Sequence, residues 1–399
     1  MRKKSLDCVY KLATADDRVV FVGSDLGAGV LNAMKEEMPE RWFMEGVAEQ
    51  HIIGMAAGLA MEGFIPYVNT IATFLTRRCF EQLVIDVGLH NLPVRLIANG
   101  GGVVYAPLGP THQAIEDFAI LRAIPNMTIV APCDASEMER LMPSTVDWPG
   151  PIYIRLAKGG DAIVSEEKHG FEIGKSILLR EPGDVLFVST GIMTQRALKA
   201  IDDLKINGFD CGLLHMHTVK PLDRETLLSV SKSIKMIVTL EEHILNGGLG
   251  TAIIETLNDY STASMPRVLR LGLPNRFVEE YGSQDDILNR FGLSFREISN
   301  RVQGAILPIL DMMQTIPSFV YLIPIIMLLG IGKVPGLIAV CIYAVPPIVR
   351  LTNLGIREVD KEALEAIDAF GATTWQRLTK VQIPLALPTI FAGVNQTIM

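Results

Sequence analysis

Short apolar runs rich in β-branched residues alternate, over the first three hundred positions, with longer stretches whose apolar residues recur at helical spacing. That alternation is the pattern of α/β layers around a mainly parallel sheet. In a first set, residues 19–23, 67–71, 93–98, 128–131 and 152–155 read as strands, with helical stretches near 49–62, 76–90, 113–123 and 135–146 between them. In a second set, 185–189, 211–215, 236–240 and 268–271 read as strands, again separated by helices. The charged, Gly-containing stretch 157–174 reads as a linker. The expected fold is two consecutive α/β domains, 1–160 and 161–302.

From Gly304 the pattern changes. No charge occurs from Met312 to Gly332 (21 residues), from Val334 to Val349 (16) or from Val381 to Met399 (19). A membrane-spanning helix needs roughly 20 mostly apolar residues, with about 17 at the lower end. Residues 303–399 are therefore expected to form an all-α membrane segment whose third run is cut by the chain end. Arg350, Arg357, Lys361, Arg377 and Lys380 lie between the second and third runs, whereas Lys333 alone separates the first two. The positive-inside rule puts the more basic loop in the cytoplasm. The expected location is the inner membrane, with residues 1–302 on its cytoplasmic side.

Charge narrows the partners. Six Lys or Arg and six Asp or Glu follow position 302, so the first part carries 30 basic and 38 acidic residues and all of the net charge of −8. Phosphate binding along nucleic acid needs clustered Lys and Arg, and this evenly mixed acidic surface argues against such a partner. The five cysteines are scattered without a C-x-x-C pair, which favours a reducing compartment over a metal cluster. Met-Arg-Lys-Lys leads into no apolar stretch of the secretory kind. Nor does a Gly-rich phosphate loop follow any expected strand, which leaves dinucleotide and nucleoside triphosphate sites without support.

Polar residues gather instead where the first set of strands ends: Gly23-Ser24-Asp25, Glu49-Gln50-His51, Thr73-Phe74 and Gly109-Pro110-Thr111-His112-Gln113. Strand ends are where open α/β sheets place ligands. Singly, each residue has an ordinary reading: Glu49 as a first-turn acid facing a helix dipole, His112 as a helix cap, Phe74 as a core aromatic. Taken in order, Ala48-Glu49-Gln50-His51, Thr73-Phe74-Leu75 and Gly109 to Gln113 resemble the pyrimidine-binding domain of transketolases and deoxyxylulose-phosphate synthases. Thr239-Leu240-Glu241-Glu242-His243 with Gly247-Gly248-Leu249-Gly250 resembles their C-terminal domain.

The resemblance implies a thiamine diphosphate enzyme, in which the cofactor supplies a nucleophilic thiazolium carbon and the protein sets the tautomer of its aminopyrimidine. Glu49 matches the glutamate that hydrogen-bonds the pyrimidine ring nitrogen, Phe74 the aromatic that stacks on that ring, and His112 a histidine facing the substrate. Arg155 sits where relatives place an arginine for a sugar phosphate. Asp25 is assigned no role. Where many sugar-specific members carry an acid four residues before the histidine, this chain has Leu108. The family's Gly-Asp-Gly signature for diphosphate and Mg²⁺ is also missing: Gly183-Asp184 continues with Val185 into a strand. No metal ligand is therefore assigned in this chain. The resemblance then implies a separate diphosphate-binding subunit that also holds Mg²⁺, as in split transketolases, and a homodimer of the soluble half.

Glu365-Ala366-Ile367, Gly371 and Val381-Gln382-Ile383-Pro384, together with Met313 to Tyr321, resemble an ABC importer permease of the glycine betaine/proline type, truncated at both ends. Val359, Ala363, Ala366, Ile367 and Phe370 form an apolar stripe at helical spacing, suited to docking in a groove or lying on lipid. The resemblance names that groove as an ATPase subunit, with Glu365, Ala366 and Gly371 at the contact. Three readings follow: a membrane-tethered thiamine enzyme half, a permease fragment with a soluble passenger, or a joining of two unrelated gene pieces.

Overall fold

The computed structural model describes the chain except for residues 25, 27, 261–264, 315–350, 353, 357–358 and 399. The described residues fall into two compact units, Met1–Ala305 and Ile306–Met399. Asp25, most of the first uncharged run and all of the second lie outside them.

The first unit contains two α/β domains with mainly parallel sheets. Its strands are β1 Val19–Gly23, β2 Trp42–Met44, β3 Ile65–Ile71, β4 Arg95–Asn99, β5 Thr128–Val130, β6 Ile152–Leu156, β7 Ile177–Arg180, β8 Val185–Ser189, β9 Cys211–His215, β10 Thr218–Lys220, β11 Met236–Ile244 and β12 Arg267–Leu273. A seven-stranded sheet runs β10-β5-β6-β4-β3-β1-β2, and a five-stranded sheet runs β12-β11-β8-β9-β7. Every pairing is parallel except the edge pairs β10 with β5 and β7 with β9.

Side chains alternate across a strand, so a sheet covered on both faces needs two apolar sets in register. The first sheet has them. Val22, Val68, Leu96, Ile129 and Tyr153 enter one core, and their neighbours Phe21, Tyr67, Ile97, Val130 and Ile152 enter the other. All nine expected strands are present. The three that periodicity did not reveal, β2, β7 and β10, are three or four residues long and lie at sheet edges. β10 comes from the second stretch of chain yet completes the first sheet, with Lys220 Nζ donating to the Arg122 carbonyl at 3.0 Å.

The stretch 157–174 is fastened rather than loose. Asp134 caps the helix Ala135–Thr145 through the Glu137 amide (2.8 Å) and also accepts from the Val164 and Ser165 amides (2.8 and 2.7 Å) and the Ser165 hydroxyl (2.8 Å). Beside it, buried Glu137 accepts from the Cys133 amide at 2.6 Å and contacts His215 Nε2 at 2.9 Å. His217 stacks on Phe171 with ring centres 4.1 Å apart. One buried polar network thus joins both domains and the segment between them.

In the second unit the described helices are Lys361–Ala369, Thr374–Arg377, the π-helical turn Leu378–Gln382 and Ile383–Ile398. None of the described helices is long and apolar enough to cross a membrane. The expected third span is a 16-residue helix, about 24 Å long at 1.5 Å per residue against a hydrocarbon core of about 30 Å. It follows the π-helical turn Leu378–Gln382 without a break and runs to the last described residue.

Burial pushes His217 down to about 4, outweighing the opposing pull of Glu137. For Glu137, burial acts upward, but His215 beside it and the Cys133 amide bring it down to about 2. Below its ordinary value of 6.5, His217 binds a proton in the unfolded chain that the folded chain refuses until about pH 4. Stability should therefore fall as pH drops from 6.5 to 4, by at most about 3 kcal/mol from this ring. Glu137 adds a further loss as pH falls from 4.5 toward 2. Urea midpoints at pH 7 and pH 4.5 check this: the wild-type chain should lose more than His217→Gln over that interval, and equal losses would contradict it.

Candidate functional site

Glu49 opens the helix Glu49–Met61 and is 1% exposed. Its carboxylate does not cap its own helix. It pairs with the guanidinium of Arg78, which arrives from the π-helical turn Phe74–Arg78 following β3. The Arg78 guanidinium carbon also lies 4.6 Å from the centre of the Phe74 ring. On the same ring, His112 makes an edge contact with centres 5.2 Å apart and planes at 67°. Glu49, Arg78, Phe74 and His112 form one continuous chain of contacts built from three separate loops.

His112 is held in the short turn Pro110–His112, entered through Gly109 with φ at +82°. Its Nδ1 lies 3.0 Å from the Thr111 hydroxyl. It caps no helix, because the next one, Asp117–Arg122, begins later and has no side-chain cap. Arg77, adjacent to Arg78, turns the other way to Glu116, with Nη2 to Oε2 at 2.8 Å. Glu116 in turn borders a cavity of about 630 Å³ whose wall continues through Ile115, Ile244, Arg276 and Phe277. Leu108, 54% exposed, presents no acceptor to this region. Tyr281 of the second domain packs on Gly109, where a Cβ would lie 2.9 Å from its hydroxyl. Sequence reasoning overlooked Tyr281 and Arg78, although Arg78 stands four residues after Phe74, the spacing that aligns side chains on a helix.

No described contact links Arg155 to this cluster. It is 7% exposed, with Nε 2.8 Å from Asp117 Oδ2 and Nη2 3.1 Å from Oδ1. Nη2 also donates to the carbonyls of Ala114 and Glu242, both at 2.9 Å. The Tyr153 hydroxyl donates to the same Asp117 carboxylate at 2.8 Å. The arginine expected to meet a sugar phosphate is thus already neutralised by a buried carboxylate.

The Glu241 to Gly250 segments serve the architecture. Glu241 accepts from the Leu249 and Gly250 amides at 2.7 and 2.8 Å, capping the helix Leu249–Tyr260 from outside. A Cβ on Gly248 would sit 2.1 Å from that carboxylate, which is why glycine stands there. Burial pushes Glu241 up to about 7 against the pull of those amides. Glu242 reaches across to the first domain, accepting from the Val103 amide at 2.9 Å.

In the second unit, Glu365 and Ala366 are exposed on the helix Lys361–Ala369, and Gly371 with φ at +74° makes the turn after it. Phe370 and Trp375 are 87% and 71% exposed.

Comparisons place these features among known proteins. Residues 1–160 match the transketolase pyrimidine binding domain, residues 174–298 the transketolase C-terminal domain, and residues 289–399 the inner membrane component of binding-protein-dependent transport systems. A putative uncharacterized transketolase family protein of Sinorhizobium fredii is 39% identical over 73% of this chain and 85% of its own length. A 6-deoxy-6-sulfo-D-fructose transketolase subunit of a Clostridium is 36% identical over 75% of this chain and 92% of its own. A solved split-gene transketolase, described as an inactive beta4 tetramer, superimposes with a TM-score of 0.70 at 33% identity, covering 77% of this chain and 98% of its own. The chain spans about half the length of the 1-deoxy-D-xylulose-5-phosphate synthases it also matches.

The pair formed by Arg155 and Asp117 generates a test of its own. Arg155→Met strands Asp117 as an unpaired buried charge, which should cost about 3–5 kcal/mol in urea unfolding. The double variant Arg155→Met/Asp117→Leu should recover much of that. A single-variant loss within about 0.5 kcal/mol, the range of ordinary surface substitutions, would contradict the assigned role.

Proposed function

The chain belongs to the transketolase family through its first three hundred residues, and on that premise we propose that it is the pyrimidine-side half of a thiamine diphosphate-dependent transferase. The reaction moves a carbon unit between carbonyl compounds. A separate subunit completes the site by holding the diphosphate and its Mg²⁺. The observation that carries this reading is the pairing of a buried carboxyl with an aromatic shelf: a flat cation already bonds Glu49 and lies over the Phe74 ring. An aminopyrimidine presents the same two surfaces.

When bound, thiamine diphosphate supplies the nucleophilic thiazolium carbon. Glu49 bonds the pyrimidine ring nitrogen and manages its proton, Phe74 stacks on the ring, and His112, touching Phe74, faces the substrate. Arg155 is not enlisted for a phosphate, since binding one there would compete with Asp117 in a dry interior. With Leu108 where an acid would grip a hydroxyl, the acceptor is read by other groups. The need for a second subunit is supported by relatives described as a transketolase subunit and a putative transketolase C-terminal section, whose lengths this chain matches over 92% and 95%. The soluble half is proposed to form a homodimer.

For residues 303–399 we propose a permease-derived segment of the glycine betaine/proline importer type, lying at the inner membrane with residues 1–302 in the cytoplasm. Its exposed Phe370, beside Glu365, Ala366 and Gly371, offers the contact for an ABC ATPase subunit. Support comes from the transport-component match and the lack of charge in three runs.

Two measurements test these readings. In the complex reconstituted with the diphosphate-binding subunit, Glu49→Gln should slow proton exchange at the thiazolium carbon by a factor of about 10²–10⁴, since Gln cannot deliver or accept the proton. Unchanged exchange would remove Glu49 from the mechanism. Pull-down with the ATPase subunit of a glycine betaine importer should retain this chain, and Gly371→Val should abolish retention, because φ at +74° disfavours a β-branched residue. Retention unaffected by that change would argue against docking through this loop.

A further inference from the structure

Two adjacent arginines on one π-helical turn part company, each to a different carboxylate. Arg77 bonds Glu116 and reaches the Pro110 carbonyl at 3.3 Å, pinning the loop that carries His112. Arg78 reaches inward to Glu49, yet its side chain is 43% exposed. It therefore has an open path back to solvent. Beneath it, buried Cys79 bonds the Phe74 carbonyl at 3.3 Å and fixes the base of the turn.

A guanidinium is planar, with donors around its edge and a stackable face. Arg78 bonds the Glu49 carboxylate through Nη1 and holds its cation over the Phe74 ring. Those are the two contacts an aminopyrimidine would make under the reading proposed above, on which this inference rests. We propose that Arg78 is a built-in stand-in for the cofactor's pyrimidine: it covers the Phe74 shelf and satisfies Glu49 while the site is empty, and it swings toward solvent when the ring enters.

The physical need is clear. Glu49 is 1% exposed, and a buried carboxylate without a partner is strongly destabilising. A half-site waiting for its complementary subunit needs a temporary partner there, and a side chain anchored four residues from Phe74 supplies one at high local concentration. The cost is competition. If the shelf is open a tenth of the time, apparent affinity for the ring falls about tenfold.

The test titrates the full chain with 4-amino-5-hydroxymethyl-2-methylpyrimidine, the ring without thiazolium or diphosphate, by ligand-observed NMR. Arg78→Ala should bind about tenfold more tightly than wild type. Arg78→Lys should fall between them, since an ammonium keeps the charge but lacks the flat face. Adding Glu49→Gln to Arg78→Ala should reverse the gain. Thermal melting confirms that each variant folds; should Arg78→Ala fail, Arg78→Lys and Arg78→Gln carry the comparison. Equal or weaker binding by folded variants overturns the stand-in while leaving the pyrimidine site intact. Absence of binding by wild type and all variants overturns the site reading, and the stand-in with it.

Discussion

A charge taken out of water must meet a counter-charge or several donors, and in this protein that constraint decides where the loops at the strand ends go. Arg155 meets Asp117 and two carbonyls, one of them on the second domain. Glu137 meets His215 and an amide. Glu241 meets two amides at a helix start, and Glu242 an amide of the opposite domain. Apolar contact fills the two faces of each sheet but is indifferent to small sliding. These directional bonds fix the register of one domain on the other.

Glu49 is the exception that locates the site. Its answer comes from a side chain that is nearly half exposed, whereas Asp117 and Glu137 are answered by groups as buried as themselves. A permanent partner would have closed the shelf beside Phe74 for good. An exchangeable one leaves a carboxyl that is dry and satisfied, yet available to a ligand able to imitate a guanidinium. Displacing Arg78 need not disturb His112, whose loop is held separately through Arg77, bonded to Glu116 and to the Pro110 carbonyl.

Much of this was legible in the sequence wherever periodicity and burial agree. β8 and β9 fall on the expected residues because strands buried on both faces read as unbroken apolar runs. Edge strands such as β2 and β10 are too short to show a period, and β10 pairs with β5, which lies far earlier in the chain: Thr218 faces Val130. Glu49, Phe74 and His112 were legible as motifs, and the structure brings them together. Arg155 was assigned by position, and position says nothing about a carboxylate arriving from another helix. The lack of charge at 381–399 was legible, and the described part of that run is helical, although none of the described helices is long and apolar enough to cross a membrane.

The boundary between the two kinds of sequence also needs the structure. The transport-component match begins at residue 289, inside the transketolase-like match that ends at 298. Yet the helix Phe295–Gln314 is committed to the first unit through its opening turns: Ile298, Val302 and Ala305 recur at helical spacing and are buried. Ser299 bonds Asp203, and Arg267 donates to the Ala305 carbonyl at 2.8 Å. Those contacts lie within Met1–Ala305, so the residues from 289 to 305 are needed by the enzyme-like fold whatever follows them. The residues shared by the two matches, 289–298, therefore belong to the fold of the first unit.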